Sequence, residues 1–219
     1  MKTVVFDLDG TLADTSGDLL AAANACFADI GRPDLLDMRD QLTAFHGGRA
    51  MLRLGFSRMD MPVDETVISQ YYLKLLGYYE DAIDTHTRLY EGAVVAVAQL
   101  RACGFATAIC TNKPEYLAVK LIDRLGISDF FDALIGADTL PTRKPDPAPY
   151  HAAVTRAGGT RSILIGDTET DRLTARAAGV PCVLVTFGPE GEDIARLSPE
   201  ALLYHYDDLP ALAAQFLPD

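Results

Sequence analysis

Past residue 92 the chain repeats one arrangement four times. A stretch of helical periodicity ends at glycine, and a short apolar run follows. Helix-like Val94–Ala102 ends at Gly104 and leads to Phe105–Cys110. The stretch from Pro114 ends at Gly126 and leads to Ala133–Ile135. The stretch 145–157 ends at Gly158-Gly159 and leads to Ser162–Ile165, and 170–178 ends at Gly179 and leads to Cys182–Val185. Glycine just after a helix adopts the left-handed conformation at little cost. Strands alternating with helices imply a parallel sheet covered on both faces, an α/β fold. A weaker strand at 202–205 and a last helix at 208–216 complete the pattern.

The first strand comes much earlier. Val4-Val5-Phe6 is a short apolar run of the kind that makes a buried strand, and it leads into Asp7-Leu8-Asp9-Gly10-Thr11. In a strand, residues i and i+2 face the same side, so Asp7 and Asp9 share a face if the strand persists through them. Two acids there are costly to bury unless they bind a cation or do chemistry. The bland alternative is a strand, a glycine turn and two solvated acids.

Between this stretch and about Arg88 no strand signal appears. Asp14-Thr15-Ser16-Gly17 offers N-cap residues. Helical spacing then runs from Leu19 to Ile30, and Gly31 with Pro33 closes it. Shorter helical pieces follow near 37–44 and around Met51–Leu54, and a long one spans 65–83. The expected organisation is an α/β core of residues 1–14 and 89–219, with an all-helical domain inserted at 15–88.

Composition sets limits. The 219 residues are 49% hydrophobic, enough for a sizeable core, and the formal net charge is −12. That argues against a nucleic-acid backbone or an anionic membrane as partner, since both need a basic surface. A small anionic substrate stays open, because a metal and a few local cations reverse the field inside one pocket. Cys26, Cys103, Cys110 and Cys182 lack metal or redox spacing and read as buried reduced thiols. Met1-Lys2-Thr3 runs straight into the first strand, and no apolar run is long enough to span a bilayer. The expectation is a cytoplasmic protein, monomer or homodimer.

In open α/β sheets the functional crevice lies at the carboxyl ends of the strands. After the first run stand Asp7, Asp9, Gly10 and Thr11; after the second, Thr111, Asn112 and Lys113. A loop after the third carries Thr142, Arg143, Lys144 and Pro145; after the fourth stand Gly166, Asp167 and Asp171. Each has an ordinary alternative as a cap or a solvated surface group. Carboxylates, hydroxyl and amide donors, and a lysine at four strand ends together point to a site.

These motifs resemble those of the haloacid dehalogenase-like superfamily. Asp7-Leu8-Asp9-Gly10-Thr11 is similar to its first motif, Thr111 to its second, Lys144 to its third, and Gly166-Asp167 through Asp171 to its fourth. The wording Cys110-Thr111-Asn112-Lys113-Pro114 and Lys144-Pro145-Asp146-Pro147-Ala148-Pro149 resembles the phosphoglycolate phosphatase group. The resemblance implies a Rossmann-like core with a C1-type helical cap, and a Mg²⁺-dependent phosphomonoester hydrolase acting on a small phosphorylated metabolite. It implies Asp7 as nucleophile, forming an aspartyl-phosphate. Asp9 would be general acid, then general base. Asp7, Asp167 and the Asp9 backbone carbonyl would hold Mg²⁺, with Asp171 a further ligand or a partner of Lys144. Thr111, Asn112 and Lys144 would hold the phosphoryl oxygens.

The acid at Asp9 favours phosphomonoesters over the superfamily's dehalogenases, which lack a carboxylate there because halide leaves without a proton. A phosphomutase and a non-catalytic phosphometabolite sensor remain as alternatives. Within the cap, His46-Gly47-Gly48-Arg49 is the expected specificity loop: glycine lets backbone approach a ligand, and Arg49 suits a substrate carboxylate. A plain helix connection with a solvated Arg49 is the competing reading. The expected substrate is 2-phosphoglycolate. His46 departs from the Gly-x-Gly common in that group's loop, which keeps sugar phosphates such as N-acetylmuramate 6-phosphate in view. Tyr71, Tyr72, Tyr78 and Tyr79 read first as helix packing, and second as a dimer contact.

Overall fold

A computed structural model of the protein describes residues 1–59 and 61–218. The chain divides into two compact units, Met1–Ala13 with Leu89–Asp219 and Asp14–Arg88.

The first unit is built on one sheet. Strand β1 (Lys2–Phe6) opens the chain, and two short strands, β2 (Ala13–Asp14) and β3 (Arg88–Leu89), pair where the chain passes between the units. Four helices, α1 (Ser16–Ala28), α2 (Gln41–Phe45), α3 (Gly48–Arg58) and α4 (Glu65–Asp81), belong to the second unit. The first unit then resumes with α5 (Ala93–Ala102), β4 (Ala106–Cys110), α6 (Glu115–Arg124), β5 (Ala133–Ile135), α7 (Ala148–Arg156), β6 (Arg161–Gly166), α8 (Glu169–Ala178), β7 (Cys182–Val185), β8 (Ala201–Leu203) and α9 (Leu209–Phe216).

The six main strands run parallel in the order β5-β4-β1-β6-β7-β8. β1 therefore sits between β4 and β6, where the order of strand addition reverses. Val5 stands opposite Ala108 on one side and Leu164 on the other. Val5, Ala108, Leu164 and Leu184 pack in one buried cluster with Tyr150 and Ala153 of α7 and Ala175 of α8. The alternate residues, among them Val4 and Phe6, serve the opposite face by the period of two, and Phe6 meets Phe131 edge-on at 6.0 Å. The glycines at 104, 126, 158 and 179 all have positive φ, as the helix-ending pattern requires.

In the helical unit α1 packs against α4 and α3. Phe27 and Phe56 meet edge-on at 5.5 Å, and Phe56 meets Tyr71 at 5.0 Å. Tyr79 is buried and the Tyr78 hydroxyl donates to Asp29, so these two tyrosines serve the unit internally.

Two local expectations are corrected, for residues 37–44 and for Cys103. Residues 37–44 are not one helix: a 3₁₀ turn at Met38–Asp40, closed by an Asp37 capping box, precedes α2. At the start of α1 the stretch 14–17 supplies the cap as expected: Thr15 holds the N-cap position without a side-chain cap bond, and Asp14 accepts from the Ser16 backbone and hydroxyl. Cys103 is exposed, because it lies at the end of α5 where the chain turns; the other three cysteines are buried and free.

Candidate active site

The carboxyl ends of β1, β4 and β6 and the loop after β5 bring seven of the sequence-predicted residues into the α/β unit. Asp7 follows β1 directly, and its backbone N–H donates to Ile165 O, extending the ladder by one step. Beyond it the strand ends, so strict alternation does not govern Asp9. The two acids take different lysines. Lys144 Nζ lies 3.0 Å from Asp7 Oδ2, and Lys113 Nζ lies 2.6 Å from Asp9 Oδ1. Asp7 Oδ1 also accepts from the Leu8 backbone at 2.7 Å.

Gly10 makes the turn with φ of +82°, and a Cβ there would run into the Asp167 carboxylate. Only glycine meets both demands without strain. Thr11, two residues from Asp9, donates its hydroxyl to Asp167 Oδ1 at 2.6 Å. Tyr206 then secures the turn from behind, donating to Thr11 O at 2.7 Å.

Asp167 directly follows β6 and is buried. Among the described residues its Oδ2 has no hydrogen-bond partner. Asp171 lies one helical turn on, fully buried. Its Oδ2 accepts from Thr168 Oγ1 at 2.7 Å and from the Thr168 backbone at 3.2 Å, while Thr168 Oγ1 caps the Asp171 N–H. Asp171 Oδ1 takes Lys144 Nζ at 2.6 Å. The helix start and the lysine thus share one acid, and Asp171 is the Lys144 partner that was one of its two expected roles.

Lys144 reaches the site from the loop after β5. The side-chain amide of Asn112 donates to its carbonyl at 3.0 Å. Thr111, buried at the end of β4, donates its N–H to Ile135 O and accepts the Lys113 N–H on its hydroxyl. That hydroxyl keeps its own proton for another acceptor. Gly48 and Arg49 belong to the helical unit. Gly48 lies where a Cβ would press on Tyr72 and Leu75. Arg49 stacks over the Tyr72 ring at 4.8 Å and donates to Ser69 Oγ at 3.1 Å.

Three of the four acids, Asp7, Asp167 and Asp171, stand together. One oxygen from each of Asp7, Asp167 and Asp171 lies within 4.8 Å of the others. Burial foremost, with the Asp171 and Asp9 charges, pushes the Asp7 carboxyl up to about 7 against the pull of Lys144. Burial, then the charges of Asp171 and Asp7, raise Asp167 well above the ordinary carboxylate range. Burial works against charge on Lys144 too, but Asp171 and Asp7 outweigh it and hold its proton on tightly. With all three ionised, the buried carboxylates face one ammonium, which leaves two negative charges to offset. A divalent cation offsets both. The all-oxygen donor set and the unpartnered Asp167 Oδ2 fit Mg²⁺, a hard ion that takes carboxylate oxygens and keeps several waters.

Two residues here carried no assigned role in the sequence reading. Thr11 positions Asp167, and Lys113 pairs with Asp9. The signal for Lys113 was its place directly after Thr111 and Asn112 at a strand end.

A family model described as haloacid dehalogenase-like hydrolase matches residues 4–185. The chain is 37% identical over 210 residues to the phosphoglycolate phosphatase of Caulobacter vibrioides, covering 95% of this chain and 89% of that protein. It is 36% identical over 216 residues to the phosphoglycolate phosphatase of Mesorhizobium japonicum, covering 98% and 95%. The crystal structure of a predicted phosphoglycolate phosphatase from Haemophilus somnus matches with a TM-score of 0.84 at 24% identity, covering 97% of both chains.

Proposed function

We propose a phosphatase from a plain premise: the chain belongs to the haloacid dehalogenase-like hydrolase family. The reaction we infer is hydrolysis of a small phosphomonoester, 2-phosphoglycolate, through a phosphoryl group carried on Asp7. The observation that carries this reading is the buried Asp7 carboxylate, held by Lys144 beside an unpartnered Asp167 oxygen, with a second acid two residues on.

In the proposed reaction an Asp7 oxygen attacks phosphorus. The bond from phosphorus to the ester oxygen breaks, its electron pair stays on that oxygen, and Asp9 gives it a proton. Water then attacks the same phosphorus and gives a proton to Asp9. The Asp7–phosphorus bond breaks, phosphate leaves, and both acids return to their starting states. Lys144 and the Thr111 hydroxyl hold phosphoryl oxygens as charge shifts onto them. Asn112 fixes the Lys144 loop through one amide proton and has a second to offer. The proposed Mg²⁺ ligands are Asp7, Asp167 and the Asp9 carbonyl, with Asp171 holding Lys144 behind them. When bound, the ion lets an anionic nucleophile meet an anionic phosphate.

The names of the relatives support 2-phosphoglycolate as substrate. For its carboxylate we propose Arg49, whose planar guanidinium suits bidentate pairing.

Phosphate release with Mg²⁺ from 2-phosphoglycolate, N-acetylmuramate 6-phosphate and hexose phosphates tests the proposal. The expected result is release from 2-phosphoglycolate well above the sugar phosphates, with no bisphosphate activator, and loss in Asp7→Asn. Preference for a sugar phosphate would overturn the substrate. A requirement for a bisphosphate would favour a mutase, and binding without turnover a sensor.

A further inference from the structure

We propose that Lys113 is a positioning residue for Asp9, fixing the direction of the carboxylate that exchanges protons in the reaction. The proposal rests on the phosphatase reading above and assigns a residue that reading leaves unused.

The geometry is specific. Lys113 Nζ sits 2.6 Å from Asp9 Oδ1, and the lysine side chain is 4% exposed against 18% for the aspartate. A lysine seldom accepts such burial without a defined partner. Its backbone is clamped on both sides. The Lys113 N–H donates to Thr111 Oγ1 at 3.1 Å, and its carbonyl accepts from Ala137 N at 2.9 Å. The ammonium is thus delivered from a fixed point at the end of β4.

Asp9 needs such a fixture. It lies past the end of β1, on a turn closed by Gly10 N to Ala13 O. Lys144 is committed elsewhere, to Asp7 and Asp171. A proton donor must come within about 2.6–3.2 Å of the leaving oxygen. Misplacement by about 1 Å costs roughly two orders of magnitude in rate. A lysine held on Asp9 Oδ1 fixes the direction in which the carboxylate is presented. Lys113 itself touches neither phosphorus nor the leaving group in this account; it acts through Asp9.

Leaving-group dependence tests the idea, because it isolates the proton that Asp9 donates. The probes are 2-phosphoglycolate, whose alkoxide needs a proton, and 4-nitrophenyl phosphate, whose phenolate leaves without one. In Lys113→Met with Mg²⁺ present, kcat/KM for 2-phosphoglycolate should fall about 10²-fold, with KM little changed. For 4-nitrophenyl phosphate kcat/KM should hold. Lys113→Arg should recover part of the loss. Asp9→Asn/Lys113→Met should be no slower on 2-phosphoglycolate than Asp9→Asn alone, since the two changes remove one function. The double variant also removes the orphaned charge, which guards against a folding defect.

Equal losses on both esters would overturn the proposal in favour of a structural ion pair. So would a rise in KM confined to 2-phosphoglycolate, which would make Lys113 a contact for the substrate's carboxylate. A wild-type protein inactive on both esters would overturn the phosphatase reading and this proposal with it.

Discussion

Asp18 and Asp167 are both buried aspartates, and the structure treats them in opposite ways. Asp18, in the helical unit, accepts from the backbones of His86 and Thr87 and from the Thr87 hydroxyl. Its charge is spent on tying the start of α1 to the segment that follows α4. Asp167, in the α/β unit, has Thr11 on one oxygen and nothing on the other among the described residues. A satisfied buried acid contributes to stability. An unsatisfied one costs stability and is retained for what binds there. The same contrast runs through the lysines and arginines. In the α/β unit, the side chains of Lys144 and Lys113 are 1% and 4% exposed in their ion pairs. In the helical unit, those of Arg39 and Arg53 are 90% and 50% exposed.

The largest expected effect breaks the pair of aspartates apart. Asp167→Asn should lower kcat/KM by about 10³-fold, roughly 4 kcal/mol of transition-state stabilisation. Its metal-free melting temperature should stay level or rise, because a carboxyl whose proton affinity is raised on folding destabilises the folded state when ionised. Lys144→Met should fail on both counts, leaving Asp7 and Asp171 buried without their cation at a cost of about 3–5 kcal/mol. Asp18→Asn should do the reverse of Asp167→Asn. It should lose about 2 kcal/mol of stability through weakened charge-assisted bonds, read by denaturant unfolding, while the folded fraction keeps its turnover.

A pH experiment sharpens the contrast. In the metal-free protein the Asp7 carboxyl has its pKa raised to about 7, chiefly by burial. The folded state therefore holds that proton more tightly than the unfolded chain does. Its contribution to stability declines as pH rises from the ordinary aspartate range to about 7 and is flat above. Mg²⁺ should cancel this slope, so the rise in melting temperature on adding Mg²⁺ should be larger at about pH 7.5 than at about pH 5. A rise independent of pH would place the ion elsewhere. Smallest of all, Arg53→Gln removes an exposed pair with Glu65 and should cost under about 0.5 kcal/mol without touching turnover.

Much of this was legible in the sequence because it is local. The βα alternation needs only periodicity and helix-ending glycines, and strands Ala133–Ile135 and Cys182–Val185 fall where the apolar runs lie. The site residues stood out as polar groups directly after apolar runs. What escaped depends on contacts across the fold. Lys113 finds Asp9 across 104 positions, and Thr11 finds Asp167 across 156. Nothing in the spacing of either residue tells which acid it meets. Residues 37–44 escaped for a different reason: Asp37 and Asp40 cap each other, so a polar exchange rather than an apolar stripe sets the turn.

The central claim is that Asp7 carries the phosphoryl group while Asp9 does not. Rapid acid quench of the wild-type protein with Mg²⁺ and 2-phosphoglycolate, followed by peptide mass analysis, tests it most directly. The account predicts a phosphoryl adduct on Asp7 that accumulates further in Asp9→Asn with an activated aryl phosphate, as loss of the base slows its hydrolysis. An adduct on Asp9, or steady phosphate release with no adduct at any quench time in either protein, would contradict it.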